Sequence, residues 1–147
     1  IKMLTLTVLK ILFAVVYFIA DILYVSISKD YYNNIVFKIS KKFIPGFNKP
    51  FSIWFASLAY ISLILGWVIF VTPSASVSLL DMISKAIIYG LSTYGLFNGT
   101  MYIMFANYPI STALRDLCWG LACVVILSVV YYFTYQKWVR QKMKSRK

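Results

Sequence analysis

Residues Leu4–Ser28 read LTLTVLKILFAVVYFIADILYVSIS. A stretch this long and this apolar crosses the ~30 Å hydrocarbon core of a bilayer as one helix. Its polar residues are not scattered. Lys10, Tyr17, Asp21, Tyr24 and Ser28 follow one another at spacings of seven, four, three and four, with Ala14 filling the gap. On a helix these positions form a single stripe, and Leu9, Ile11, Val15, Val16, Phe18, Ile19, Ile22 and Leu23 cover the rest. The stripe is expected to face protein and the remainder lipid. An aspartate near mid-membrane costs ~3 kcal/mol on insertion scales, so Asp21 needs a partner or a proton. The stretch is too long and aromatic for a cleavable signal, and no small-x-small cleavage site follows it.

Working outward, three more apolar stretches appear. Residues 51–72 carry no charge and hold Trp54 and Trp67 near their two ends, where tryptophans sit at membrane interfaces. Residues 82–105 are the least apolar, with Lys85, Ser92, Thr93, Asn98 and Thr100 among Gly90, Gly95 and Gly99. Gly95 and Gly99 form a small-xxx-small pair that lets another helix approach closely, and Tyr94, Asn98 and Tyr102 make a polar ridge beside it. So much glycine and hydroxyl implies a helix buried among others. The last stretch, 113–135, follows Asn107-Tyr-Pro, with Ser111 or Thr112 as its expected cap. Asp116 sits near its start, where a carboxylate favours the helix dipole and the adjacent Arg115 can neutralise it. Trp119, Gly120 and Cys123 are placed on the same side.

Between the first two stretches, residues 29–50 mix lysines (Lys29, Lys38, Lys41, Lys42, Lys49) with aromatics (Tyr31, Tyr32, Phe37, Phe43, Phe47). A short helix lying in the membrane interface is expected, ended by Pro45-Gly46. After the fourth stretch, Lys137, Arg140, Lys142, Lys144, Arg146 and Lys147 crowd into a basic tail. These residues are expected to continue the helix for a turn or more and to meet anionic headgroups.

Composition agrees with this reading. The 147 residues are 61% hydrophobic and carry a net charge of +11. In a soluble protein that charge would suggest nucleic acid. Here the lysines and arginines gather at the ends of apolar stretches, so lipid headgroups are the expected partner and nucleic acid is not. The architecture expected is all-α: one integral-membrane four-helix bundle over residues 1–147, with an interfacial segment between spans 1 and 2. Both termini are expected on the positive-inside face, because Lys2, Lys85 and the six tail charges outnumber the five connector lysines and Arg115.

Chemistry is sparse. There is no histidine, so His-dependent metal sites and triads are excluded. Cys118 and Cys123, separated by ~7.5 Å along a helix axis, suit packing better than a disulfide. No nucleophile–base pair and no phosphate-cradling glycine loop can be named, so no enzyme and no cofactor are expected. The candidate site is an intramembrane polar cluster of Asp21, Tyr24, Tyr94, Asn98, Asp116 and Trp119. Gly95, Gly99 and Gly120 are expected to serve helix packing.

In these positions the chain resembles, over roughly residues 4 to 135, a family of small four-span membrane proteins known as a domain of unknown function. The resemblance rests on Asp21-Ile-Leu-Tyr24 late in span 1, Tyr31-Tyr32 after it, a Tyr-Asp-x-Thr-Asn pattern in span 3, and Asp116-Leu-Cys-Trp119-Gly120 opening span 4. Tyr94 and Asn98 match the third-span pattern, but the family's aspartate is Gly95 here and its threonine is Phe97. The resemblance implies the architecture and this set of positions, and it implies no activity. On sequence, the expected role is a non-enzymatic accessory subunit of a larger membrane assembly, bound to other subunits or to itself. The alternative is a small transporter or proton-coupled carrier. Against the carrier stand the small size and the lack of a second intramembrane acid near Asp21, since Asp116 is expected nearer the interface.

Overall fold

The computed structural model describes residues 2–41, 50–72 and 78–144. These residues are all-α. Helix α1 (Lys2–Ile27) passes through a kink at Ser28 into α2 (Lys29–Ser40). Helix α3 (Ser52–Gly66) widens into a π turn over Trp67–Val71. Helix α4 (Leu79–Gly90) runs through a second π turn, Leu91–Gly95, into α5 (Leu96–Met104), and α6 occupies Ile110–Lys144. Three segments are long and apolar enough to cross a membrane: Thr7–Ile27, Ser52–Val71 and Ile110–Trp138. The remaining expected span is the α4–α5 segment, which the π turn divides into two shorter α-helices.

Helix α6 is the spine, against which α1, α4 and α5 all pack. Its buried side is a ladder of Thr112, Asp116, Gly120, Val124 and Ser128 at every fourth position. The polar stripe of α1 is its buried side too: Ala14, Tyr17, Asp21 and Ser28 are enclosed, while Ile11, Val15, Ile19 and Leu23 stand exposed. Cross-contacts such as Phe13 on Tyr131, Trp119 on Asp21 and Arg115 on Ser28 show that α1 and α6 run antiparallel. The apolar core lies toward the chain-terminal end, around Tyr17, Trp67, Val71, Met82, Ala86, Val124 and Tyr131. The polar residues lie toward the other end.

Several details differ from the sequence expectation. Trp67 is not an interfacial anchor: it is fully buried, and its indole Nε1 donates to Ser128 Oγ at 3.0 Å. Only Trp54, 73% exposed, has the outward position expected of both. Helix α2 stops at Ser40, with Lys41 in the left-handed region at φ 59°. It ends before Pro45-Gly46, which lie outside the described residues. Helix α6 begins at Ile110, not at Ala113, because the amides of Thr112 and Ala113 already reach the Pro109 carbonyl at 3.0 and 3.3 Å. Ser111 and Thr112 are therefore inside its first turn and do not cap it. The helix continues to Lys144, and Lys137 is exposed on it. Arg140, Lys142 and Lys144 lie on this backbone extension, and Arg146 and Lys147 fall outside the described residues.

Close approach within the chain is made at other glycines than the Gly95–Gly99 pair. A Cβ on Gly95 would make an ordinary contact with Leu117, and one on Gly99 would meet nothing within 4 Å. At Gly120 a methyl would run into the Tyr94 ring, and at Gly66 into Tyr89. The π turns disturb the regular backbone ladder, and side chains donate to nearby carbonyls. Tyr89 donates to Leu63, Thr93 to Tyr89 at 2.8 Å, Thr72 to Val68 at 2.6 Å, and the Lys10 ammonium to Thr72. In hydrocarbon such donors are what make an irregular helix tolerable. They also explain Lys10, whose charge is drawn to the end of the second span.

Candidate functional site

Asp21 and Asp116 are each 8% exposed, and both line one cavity of about 570 Å³. Its walls come from α1, α2, α5, α6 and the second π turn, and they include every member of the expected polar cluster: Asp21, Tyr24, Tyr94, Asn98, Asp116 and Trp119. The expectation that Asp21 has no second acid near it is therefore corrected. The antiparallel packing of α1 on α6 brings the two carboxylates to a common space, with Tyr24 reaching Asp116 and Trp119 reaching Asp21.

Each carboxylate collects donors from other helices. Asp21 Oδ1 accepts from Tyr94 Oη at 3.0 Å and from Trp119 Nε1 at 3.4 Å. Tyr94 has one proton and gives it to Asp21, so Tyr17, 3.1 Å away, donates in turn to Tyr94. Asp116 Oδ1 accepts from Tyr24 Oη at 2.7 Å and also from Tyr32. The two groups are joined through their rings, since Tyr24 stacks on Trp119 with centroids 4.5 Å apart and planes 7° from parallel. Asn98, 3% exposed, donates from Nδ2 to the Tyr94 carbonyl at 2.9 Å and accepts from Tyr108 Oη at 3.1 Å. It thus holds both the backbone behind Tyr94 and the α5–α6 connector.

Arg115 does not pair with Asp116 as the sequence suggested. Its guanidinium donates to Ser28 Oγ at 2.9 Å and lies over the Tyr31 ring at 4.5 Å from the centroid. Tyr31 in turn shares a 2.8 Å hydrogen bond with Thr112. This cluster clamps the α1–α2 bend to the start of α6. Among the described residues the ion pair present is Lys85 with Asp81, at 2.7 Å on the first turns of α4. Asp21 and Asp116 are thus satisfied by neutral donors, with no lysine or arginine among the described residues bridged to either.

Tyr32, Tyr108 and Lys29 also belong to the cavity; the resemblance marked Tyr32 as a motif position, but none of the three was placed in the expected cluster. Burial, followed by the hydrogen bond to Asp116, pushes the Tyr32 phenol well above its ordinary range. Burial and the nearby Asp116 push Tyr108 up to about 12. Both phenols stay protonated and remain donors at any physiological pH. Phe97 lines the cavity as an apolar member of the same wall.

Three apolar helices of membrane-crossing length, two of which help to line a cavity of carboxylates, phenols and an indole, are what an integral membrane protein presents. The chain belongs to the family described as predicted membrane protein (DUF2177), which it matches over residues 6–134. No curated protein and no solved structure matches the chain.

Proposed function

We propose that the chain crosses the membrane four times and works, without catalysing a covalent reaction, as a small proton-coupled carrier built round the Asp21–Asp116 cavity. One observation carries this reading: two buried carboxylates, neither in an ion pair among the described residues, share one cavity inside a membrane protein. Ionisable groups in that setting are costly and mark ion or substrate pathways. A proton or a cationic solute is the natural counter-charge. The Tyr17–Tyr94–Asp21 chain of hydroxyls extends from the apolar core toward the cavity, which suits a proton relay.

The fourth crossing is assigned to α4 and α5. At ~1.5 Å per residue, Leu79 to Met104 exceeds the ~30 Å core, and the segment packs along α6. Helix α2, with its lysines and tyrosines, then lies in the interface, and both termini lie on the positive-inside face beside the basic tail.

The test is proton flux in proteoliposomes, driven by a valinomycin-clamped potential and followed with an internal pH dye. The unaltered chain is expected to conduct above protein-free vesicles, and Asp21→Asn and Asp116→Asn to return to that baseline with unchanged circular dichroism and gel-filtration profiles. Flux absent from the unaltered chain, or retained in both variants, would refute the carrier. The accessory-subunit reading keeps one supporting observation, the open face of α5, where Gly99 meets no side chain and Leu96, Phe97 and Ile103 are exposed. A monodisperse monomer in mild detergent with no co-purifying protein counts against it.

A further inference from the structure

Resting on the carrier reading, we propose that the cavity receives the headgroup of a zwitterionic phospholipid, which enters sideways from the bilayer between α1 and α5. The ammonium would lie toward Asp21 and Asp116, the phosphate toward Lys29, and the acyl chains would stay in hydrocarbon.

The wall chemistry selects an organic cation. Two carboxylates without an ion-paired lysine or arginine among the described residues attract positive charge, and the rings of Tyr24, Trp119, Tyr32 and Tyr94 stand beside them. Ring faces attract ammonium groups, and a cage of aromatics with carboxylates is how alkylated ammonium is recognised. A hard metal ion would need a close shell of six or more oxygens, and these walls are mostly ring and aliphatic surface. The cation on the cavity wall is Lys29, which is exposed at the α1–α2 bend. One cation at the rim and two anions inside match a head whose phosphate precedes its ammonium.

The mouth selects an amphiphile. Helices α1 and α5 each pack on α6, make little or no close approach to one another, and both line the cavity. Val25 and Phe97 line the cavity and are nonetheless 46% and 58% exposed. In a membrane, exposed apolar side chains on spanning helices face acyl chains. A water-soluble cation gains nothing from such a rim, whereas a lipid keeps its tails against it while its head is inside.

Native mass spectrometry of the full chain released from maltoside micelles tests this with three probes. Dimyristoyl phosphatidylcholine carries head and tails, dimyristoyl phosphatidylglycerol has the tails without the ammonium, and glycerophosphocholine has the head without the tails. One phosphatidylcholine per chain is expected, bound about tenfold more weakly by Asp21→Asn and by Asp116→Asn. Glycerophosphocholine is expected to bind at least about tenfold more weakly than the lipid. Phosphatidylglycerol, drawn by the basic tail, should bind equally to the unaltered chain and to both variants. Phosphatidylcholine binding that ignores both substitutions overturns the site. Phosphatidylglycerol that depends on Asp21 and Asp116 as strongly as phosphatidylcholine overturns recognition of the ammonium. Glycerophosphocholine that matches the lipid overturns lateral access and makes the ligand a soluble cation. The three-probe comparison on the unaltered chain decides even where a variant does not fold. Phosphatidylcholine bound without proton flux removes the carrier and keeps this site, and flux without that binding does the reverse.

Discussion

Tyr94 is the residue on which the site most depends. Its ring lies on Gly120, its hydroxyl joins Tyr17 to Asp21, and its carbonyl holds Asn98. Gly120→Ala is therefore expected to destabilise the protein by about 1–3 kcal/mol, because the obstruction is the near end of an anchored ring. Gly99→Ala, in open space on a helix, should be neutral or stabilising by up to ~1 kcal/mol. Thermal unfolding of both variants in the same micelle checks the pair. Tyr108 supplies a pH dependence. Its phenol, raised from 10.0 to about 12, is held protonated by the fold. Its contribution is complete below the ordinary value and is lost as pH rises through the raised one. Alkaline unfolding should therefore show Tyr108→Phe losing less stability than the unaltered chain across that window. Asp21, Tyr24, Asn98 and Asp116 were legible in the sequence because a polar residue inside an apolar run announces itself by cost. Tyr108 was not, and Tyr32 was legible only as a motif position, since connector tyrosines are ordinary and their partners, Asn98 and Asp116, are reached only through the folded turn and bend.

At the scale of elements, hydropathy and spacing located the apolar segments, and the periodicity of α1 gave its buried stripe. The π turns left no such trace, because Trp67–Val71 and Leu91–Gly95 have compositions any helix tolerates. Trp67 shows the consequence. A tryptophan near the end of an apolar run looks like an interfacial anchor, and only the position of Ser128 on α6 reveals a core residue. Trp67→Phe keeps a ring beside Tyr17 and Tyr131 but loses the indole donor, and should cost about 1–2 kcal/mol. Trp54→Phe, on the exposed side of α3, should stay within about 0.5 kcal/mol. Chemical unfolding of the two variants side by side measures the difference.

For the whole molecule, the antiparallel pairing of α1 with α6 places Lys2 and Lys137 at one end and the α2 connector at the other. With four crossings, protease added to sealed vesicles from the connector side should leave the basic tail uncut. Removal of the tail from that side would break both the even span count and the orientation. The family, the helical class and the polar positions could be read from residues alone. Residues alone place them in one cluster; that they share a single cavity with Tyr32 and Tyr108 depends on α1 packing antiparallel on α6 and on the folded α1–α2 bend and α5–α6 connector. That sharing is the central claim, and cysteine accessibility in native-composition vesicles tests it most directly. With Cys118 and Cys123 first replaced, single cysteines at positions 19, 21, 23 and 116 would be exposed to a lipid-soluble maleimide. Fast labelling at 19 and 23, with slow labelling at the enclosed positions 21 and 116, is the expected result. Free labelling at 21 and 116, with 19 and 23 protected, would turn the helices inside out and remove the cavity.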